Sequence, residues 1–414
     1  MKIALICYVY PPEHCPAGVM VSELATDLAA RGHEVTVVTG WPNHPKGRLF
    51  EGFRRRFRRI ERQGGHRVMR VGHAIGPQKR MLTRLWVYLT FAISSLFNTL
   101  TLGRQDAVLC LSTPIFGDWT ALALAKLWRA RSVRVIMDIL PEAASHTGMI
   151  RTDSLLYRVL RRLDTANCRG YDIITTLGEG LRGQILARRI DSDRVKVTPL
   201  WLDPDRVRPL DRDNPWRREH GIDRERFVAL LAGTIGYASG AQILIDVAEA
   251  LTDRPDILIL VVGEGPVKDE MMQLAAERRL DNIRFEPFQP AERLSEMQSA
   301  ADVGLVTVRP QSGFTSVPSK MLGYMAAGRA VVVAAPEQTD VVQIVRDGDC
   351  GVVTGAQDAE ALAAALAELA DDRARCERLG AHAREYLLSH FSREAVVARY
   401  ERLIVGSVRE RESQ

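Results

Sequence analysis

The sequence predicts an α/β protein of two open domains, each a parallel sheet covered by helices. Short β-branched runs alternate with longer helical patterns from end to end, the mark of βαβ units. One stretch, 203–226, is rich in Pro and charge and lacks an apolar period, as a domain boundary would be. A chain of 414 residues also exceeds one ordinary core and fits two domains of about 200 residues.

In the first half the expected strands are 2–10, 34–39, 67–71, 107–111, 133–137, 173–176 and 195–198. In the second they are 227–232, 257–262, 283–285, 303–306, 330–334 and 351–353. Helices fall between them; residues 19–30, for example, repeat apolar side chains at helical spacing and stop at Gly32. The resulting division is an N-terminal acceptor-side domain 1–203, a linker 204–226, a nucleotide-binding domain 227–390 and a C-terminal helix within 391–414 that could pack back on the first domain. Ligands of open α/β sheets bind beyond the carboxyl ends of the strands, so two such domains facing each other would form a cleft there.

With 46% hydrophobic and 26% charged residues, the composition is that of a globular protein. The six cysteines are scattered with no CxxC pair or Cys/His cluster, so neither zinc nor a disulfide framework is indicated. Met1 leads directly into a strand-like run, which predicts no signal peptide and a cytoplasmic location. Net charge is a modest +5, yet residues 46–84 hold thirteen basic side chains against Glu51 and Glu61. Such a block suits phosphate, nucleic acid or an anionic membrane, or is simply a solvated face.

Several loops carry candidate chemistry. Tyr10-Pro11-Pro12-Glu13 leads to Gly18 at a helix start; the dinucleotide GxGxxG is absent and the prolines remove donors such a turn would use, disfavouring an NAD enzyme. Gly18 could admit a phosphate to the helix end or merely ease packing. Gly263-Glu264-Gly265-Pro266 is a lone GxG, which a strand-to-helix turn alone would also explain. The loop Gly233 to Gly240 suits a phosphate but lacks a P-loop lysine, excluding an ATPase of that kind. In the segment from Thr315 to Gly328, Pro318 opens a helix from which Ser319 and Lys320 project, a geometry for binding an anion. Asp138 and Glu142 follow an expected strand and could hold an acceptor hydroxyl or take its proton; alternatively Asp138 caps a helix and Glu142 is solvated.

Together these motifs, with Arg31-Gly32-His33-Glu34, Pro42-Asn43-His44-Pro45, Trp201-Leu202-Asp203 and Val317-Pro318-Ser319-Lys320, resemble glycosyltransferase family 4 over nearly the whole chain. Within it they are similar to bacterial surface-polysaccharide transferases such as the N-acetylfucosamine transferases. The resemblance implies a GT-B fold, retaining transfer from a nucleotide sugar, and no cofactor or metal. It implies donor contacts at Gly18, Gly236, Phe288, Gln289, Thr315, Pro318, Ser319 and Lys320, and acceptor contacts at Glu13, Asn43, Asp138 and Glu142. The catalytic candidates are Asp138, Glu142 and Lys320. Departures are specific: the family's two glutamates fall at Thr315 and Gly323, and its diphosphate-clamping arginine and lysine at Thr234 and Ser239.

The expected activity is metal-independent transfer of a hexosyl or N-acetylhexosaminyl group, from a UDP-sugar to a lipid-linked or polysaccharide-precursor acceptor. A GT-B epimerase and an inactive partner subunit are the alternatives. The expected partners are the nucleotide sugar, the acceptor and an anionic membrane reached through residues 46–102, with no nucleic acid. Residues 85–102 carry no charge; Thr90, Ser94 and Asn98 form a narrow polar stripe, and the rest of the helix would lie on the sheet, a partner or lipid. Spanning is not expected, because strands of one sheet flank it. A peripheral position on the inner face of the cell membrane follows.

Overall fold

The structure, a computed structural model, describes residues 1–13, 15–44, 47–76, 81–112, 115–139, 141–142, 145, 150–310 and 319–406. The chain forms two compact units, Met1–Thr198 together with the chain from Val397 on, and Pro199–Val396.

In the first unit, β1 (Lys2–Ile6), β2 (Glu34–Thr39), β3 (Arg58–Gln63), β4 (His66–Val71), β5 (Ala107–Leu111), β6 (Arg131–Ile136), β7 (Ile173–Thr176) and β8 (Val195–Val197) make one sheet. Its order is β3-β4-β2-β1-β5-β6-β7-β8, parallel except for the antiparallel β3/β4 pair. The strand order reverses between β1 and β5, which defines a crevice at their carboxyl ends. β1 ends at Ile6 rather than at residue 10, because Glu13 draws the following segment into a loop. β3 was not expected: its run Arg-Arg-Ile-Glu-Arg-Gln has no apolar alternation. It forms because Gly64 and Gly65, both at positive φ, turn the chain back so that Arg58 faces Val71 and Gln63 faces His66. At a sheet edge its charged side chains stay in solvent and discourage further pairing.

α1 (Pro16–Ala30) starts with proline in its first turn and stops before Gly32 at φ +89°, as its sequence signals require. α2 (Met81–Leu100) is apolar on two faces: Val87, Tyr88, Phe91 and Ala92 are buried, and polar residues share that inward face with them. Ser95, Asn98 and Thr99 are buried, each side chain bonded to a carbonyl of its own helix, on Ala92 (2.9 Å), Ser94 (2.9 Å) and Ser95 (2.6 Å). Trp86 (60% exposed), Leu89, Ile93, Phe97 (61% exposed) and Leu100 face outward at helical spacing. A helix wholly buried on the sheet is therefore ruled out, and the expected polar stripe is internal at Asn98. α3 (Ile115–Trp128) packs beside it through Thr120 Oγ1 donating to Ala92 O (2.8 Å), and exposes Trp119 and Leu127. Arg58 of β3 donates to Thr101 Oγ1 at the end of α2 (3.0 Å), so the exposed basic strand adjoins the apolar stripe. Among the described residues no helix is long and apolar enough to cross a membrane.

The second unit holds β9 (Phe227–Ala232), β10 (Ile257–Val262), β11 (Ile283–Glu286), β12 (Val303–Thr307), β13 (Ala330–Ala334) and β14 (Gly351–Thr354), all parallel, in the order β11-β10-β9-β12-β13-β14. Alternate residues feed opposite faces: Phe227, Ala229 and Leu231 join one core cluster, and Val228, Leu230 and Ala232 the other. Each such Leu, Val or Phe contributes about 1.5–3 kcal/mol by burial.

The stretch 204–226, expected as a linker, is part of this unit's body. Asn214 caps a short helix, Pro215–Glu219, whose Trp216 is buried and whose Arg217 donates to Ala300 O (2.8 Å) and Asp223 O (2.8 Å). Its polar composition concealed these two anchors. The helix Arg393–Val405 passes from the second unit into the first at Val397. There Tyr400 takes a hydrogen bond from Thr198 (3.0 Å), and Glu401 pairs with Arg31 (2.9 Å) and His33 (2.9 Å).

Candidate functional site

In the second unit the strand order reverses between β9 and β12, which pair only at Ala229/Val303 and Leu230/Gly304 and then separate. Tyr324 fills the opening. A Cβ on Gly304 would lie 2.1 Å from the tyrosine ring, so only glycine admits it, and the Tyr324 hydroxyl accepts the Ala232 N–H at 2.7 Å. This fixes the helix Ser319–Ala326 against the exit of β9.

From that exit runs the loop Gly233 to Gly240, with Gly233 at φ +112° and Gly240 at φ +60°. The loop 263–266 supports it backbone to backbone. A Cβ on Gly263 would lie 1.9 Å from Gly233 O and one on Gly265 2.3 Å from Ile235 O, so the GxG motif is what lets these loops touch. Gly233 N donates to Val262 O (2.9 Å) and Ile235 N to Glu264 O (2.9 Å), prolonging the sheet's pairing beyond its strands. Lys268, buried and not anticipated from sequence, ties the frame by donating to Gly263 O (2.9 Å), Glu286 O (3.1 Å) and Glu264 (3.0 Å). Its one local signal was the Glu264/Lys268 spacing, favourable in a helix. The outer surface of the loop stays bare at Gly236, where a Cβ would meet nothing within 4 Å.

Lys320 rises from the first turn of the helix Ser319–Ala326, its Cε 3.9 Å from the position of a Cβ on Gly233. Burial pushes its pKa down to about 8. It makes no hydrogen bond or ion pair among the described residues, and Ser319 beside it is exposed. Thr315 and Pro318 lie outside the described residues. At Gly323, a Cβ would lie 2.5 Å from Gln298 Nε2 and 2.7 Å from Oε1, so the buried Gln298 amide occupies the room a glutamate would need. Beyond β11, Phe288 is 53% exposed with its ring free to stack, whereas Gln289 accepts from Trp216 Nε1 (3.0 Å) and donates to Pro287 O (3.1 Å).

In the first unit two expected acceptor contacts turn inward. Glu13, 1% exposed, accepts from Asn43 N (2.8 Å), His44 N (2.7 Å) and Tyr10 N (3.1 Å), lacing the loop after β1 to the loop after β2. Asn43, fully buried, donates to Trp41 O (2.8 Å) and accepts from Tyr8 OH (3.2 Å). The resemblance implies acceptor contacts at both; here their polar atoms are taken up within the two loops and by Tyr8. Gly18 likewise serves packing, since its Cβ position lies 3.2 Å from Tyr10 Cα and Val9 O.

Asp138 and Glu142 differ. Asp138 lies exposed two residues past β6 and makes no hydrogen bond among the described residues. Glu142 is partly buried and paired: Arg188 holds it at 2.7 Å and Arg161 stands 3.7 Å away. Behind it a buried chain continues from Arg188 to Asp164, to Arg134 of β6, and to Asp118 of α3 at 2.7 Å. These partners lie far apart in sequence, which is why the network was invisible there. Among the described residues no three His, Cys, Asp or Glu side chains group to hold a metal ion.

Two largely parallel-sheet units, the second with a glycine-rich loop and a lysine unpaired among the described residues at its strand-order reversal, have the architecture of the GT-B fold. Residues 17–201 match the glycosyl transferase 4-like domain and residues 212–386 the glycosyl transferases group 1 family. The chain belongs to the family 4 glycosyltransferases of GT-B fold. It is 26% identical over 351 residues to the putative colanic acid biosynthesis glycosyl transferase WcaI of Escherichia coli K12, covering 83% of this chain and 86% of the relative. Its fold is similar to sucrose-phosphate synthase from Thermosynechococcus elongatus, with TM-score 0.69, 19% identity and coverage of 97% and 98%. It is also similar to Anabaena HepE in complex with UDP, with TM-score 0.70, 15% identity and coverage of 98% and 100%.

Proposed function

We propose that this chain is a retaining transferase that moves a hexosyl or N-acetylhexosaminyl group from a UDP-sugar to a lipid-linked or polysaccharide-precursor acceptor. The carrying observation is Lys320, a desolvated ammonium without a counter-ion among the described residues, beside a bare glycine loop. An anion that brings its own negative charge satisfies both. The UDP bound to HepE supports the choice of nucleotide, and the relation to WcaI supports a polysaccharide precursor as acceptor.

As the anomeric C–O bond breaks, negative charge grows on the leaving diphosphate, where Lys320 and the loop's backbone N–H groups stabilise it. Phe288 stacks on the base. Asp138 receives the acceptor's hydroxyl proton, while Glu142, Glu13 and Asn43 hold the loops that shape the acceptor side. Since the cationic work falls to side chains, turnover proceeds in EDTA. The α2 stripe and the adjoining arginines bring the first unit to an anionic membrane on its cytoplasmic face.

The test is a panel of nucleotide sugars incubated with lipid-linked acceptors, reading product and anomeric configuration by NMR. Transfer with retained configuration from a UDP-sugar supports the reading. Inverted product, a changed nucleotide sugar without acceptor, donor binding without turnover, or an absolute requirement for added Mg²⁺ or Mn²⁺ would count against it.

A further inference from the structure

We propose that Arg309 is a second cation of the donor site, binding the diphosphate from the Gly240 end of the loop while Lys320 binds it from the Gly233 end. This rests on the donor reading above and adds a residue that the sequence motifs did not mark.

Arg309 emerges two residues past β12, at the strand-order reversal, from a fixed frame: Val308 N still donates to Ala334 O at 2.9 Å. Its stem lies on the loop. A Cβ on Gly240 would come within 3.0 Å of Arg309 Cγ and 3.4 Å of its backbone N, so the left-handed glycine both makes the turn and clears a path for the arginine. Nη2 donates to Gln242 Oε1 at 3.2 Å. That partner is a neutral amide, which orients the guanidinium without cancelling its charge, and Arg309 forms no ion pair among the described residues.

The loop itself supplies no cation. Thr234 and Ser239 are uncharged, and the Ser239 hydroxyl is spent on Gly236 O at 2.6 Å. A nucleoside diphosphate carries more negative charge than a single lysine offsets. A guanidinium presents paired donors to phosphate oxygens and keeps its charge at every working pH, whereas Lys320 begins to lose its own near 8. The two cations therefore bracket the open surface at Gly236, where a diphosphate can approach the backbone.

Calorimetric titration of the full chain with UDP and with uridine tests this. In Arg309→Gln, UDP affinity should fall about ten- to a hundredfold, the size of lost charge-assisted hydrogen bonds, with uridine affinity unchanged. Gln242→Glu keeps the arginine but gives it a counter-ion, and should also weaken UDP selectively; this covers the case in which the arginine variant folds poorly. Unchanged UDP affinity in either folded variant, or equal loss for UDP and uridine, would overturn the assignment. A wild type that binds uridine and UDP equally, or binds neither, would instead remove the donor reading and this inference with it.

Discussion

Lys320→Met exchanges an ammonium that the fold keeps partly desolvated for an uncharged side chain of similar length. The lysine titrates near 8 against an ordinary value of about 10.4, and a unit of pKa is worth about 1.4 kcal/mol. At pH 7 the charged form thus costs the folded protein up to about 3 kcal/mol relative to the unfolded chain. The sign follows from linkage. With the folded pKa depressed, the unfolded chain binds this proton more tightly, so the penalty is full below pH 8 and disappears as pH rises past the unfolded value. The methionine variant should therefore be more stable than wild type at pH 7, by up to about 3 kcal/mol, with the difference closing toward pH 10–11. Urea unfolding of both proteins at several pH values measures it. Taking the difference between them cancels the buried thiols and phenols, such as Cys350 and Tyr10, whose pKa values burial pushes up to about 12. The same variant should bind UDP about ten- to a hundredfold more weakly, and wild-type affinity should decline above pH 8 while the variant's stays flat. A variant less stable than wild type by the same amount at every pH, with UDP affinity intact, would refute the account of Lys320.

Gly323→Glu should lose about 1–3 kcal/mol in denaturant unfolding, because the buried Gln298 amide fills the space its carboxylate needs, and Gln298→Ala in the same chain should restore much of it; a neutral single variant would contradict the packing. Glu13→Gln turns an acceptor of three N–H groups into a mixed donor and acceptor, and should lower stability by about 1–3 kcal/mol; an unchanged melting curve would mean the loops are held otherwise. In liposome flotation, binding should require anionic lipid and weaken in salt. Gln at Arg54, Arg55, Arg56, Arg58 and Arg59, or Ser at Trp86, Ile93 and Phe97, should each reduce it, and failure of wild type to float on any liposome would end the membrane proposal.

What the sequence determined by itself were the features encoded locally. The six strands of the second unit and the glycine turns at their ends are set by neighbouring residues, through apolar runs and the φ freedom of glycine, and the start of α1 by Pro16 in its first turn. The motif order that marks the family is local in the same sense. Tertiary structure decided everything that depends on what lies across the fold. Whether Glu13 meets solvent or three backbone donors depends on a loop thirty residues away. The charged run of β3 becomes a strand only because β4 offers it an edge. In α2, hydroxyls and an amide that bond their own helix can be buried at little cost, so polar residues share the inward face with apolar ones, and periodicity alone could not choose it. Gln298 closing over Gly323, and Arg309 lying across Gly240, pair residues twenty-five and more positions apart. Periodicity reports which residues share a face; only packing reports what that face meets.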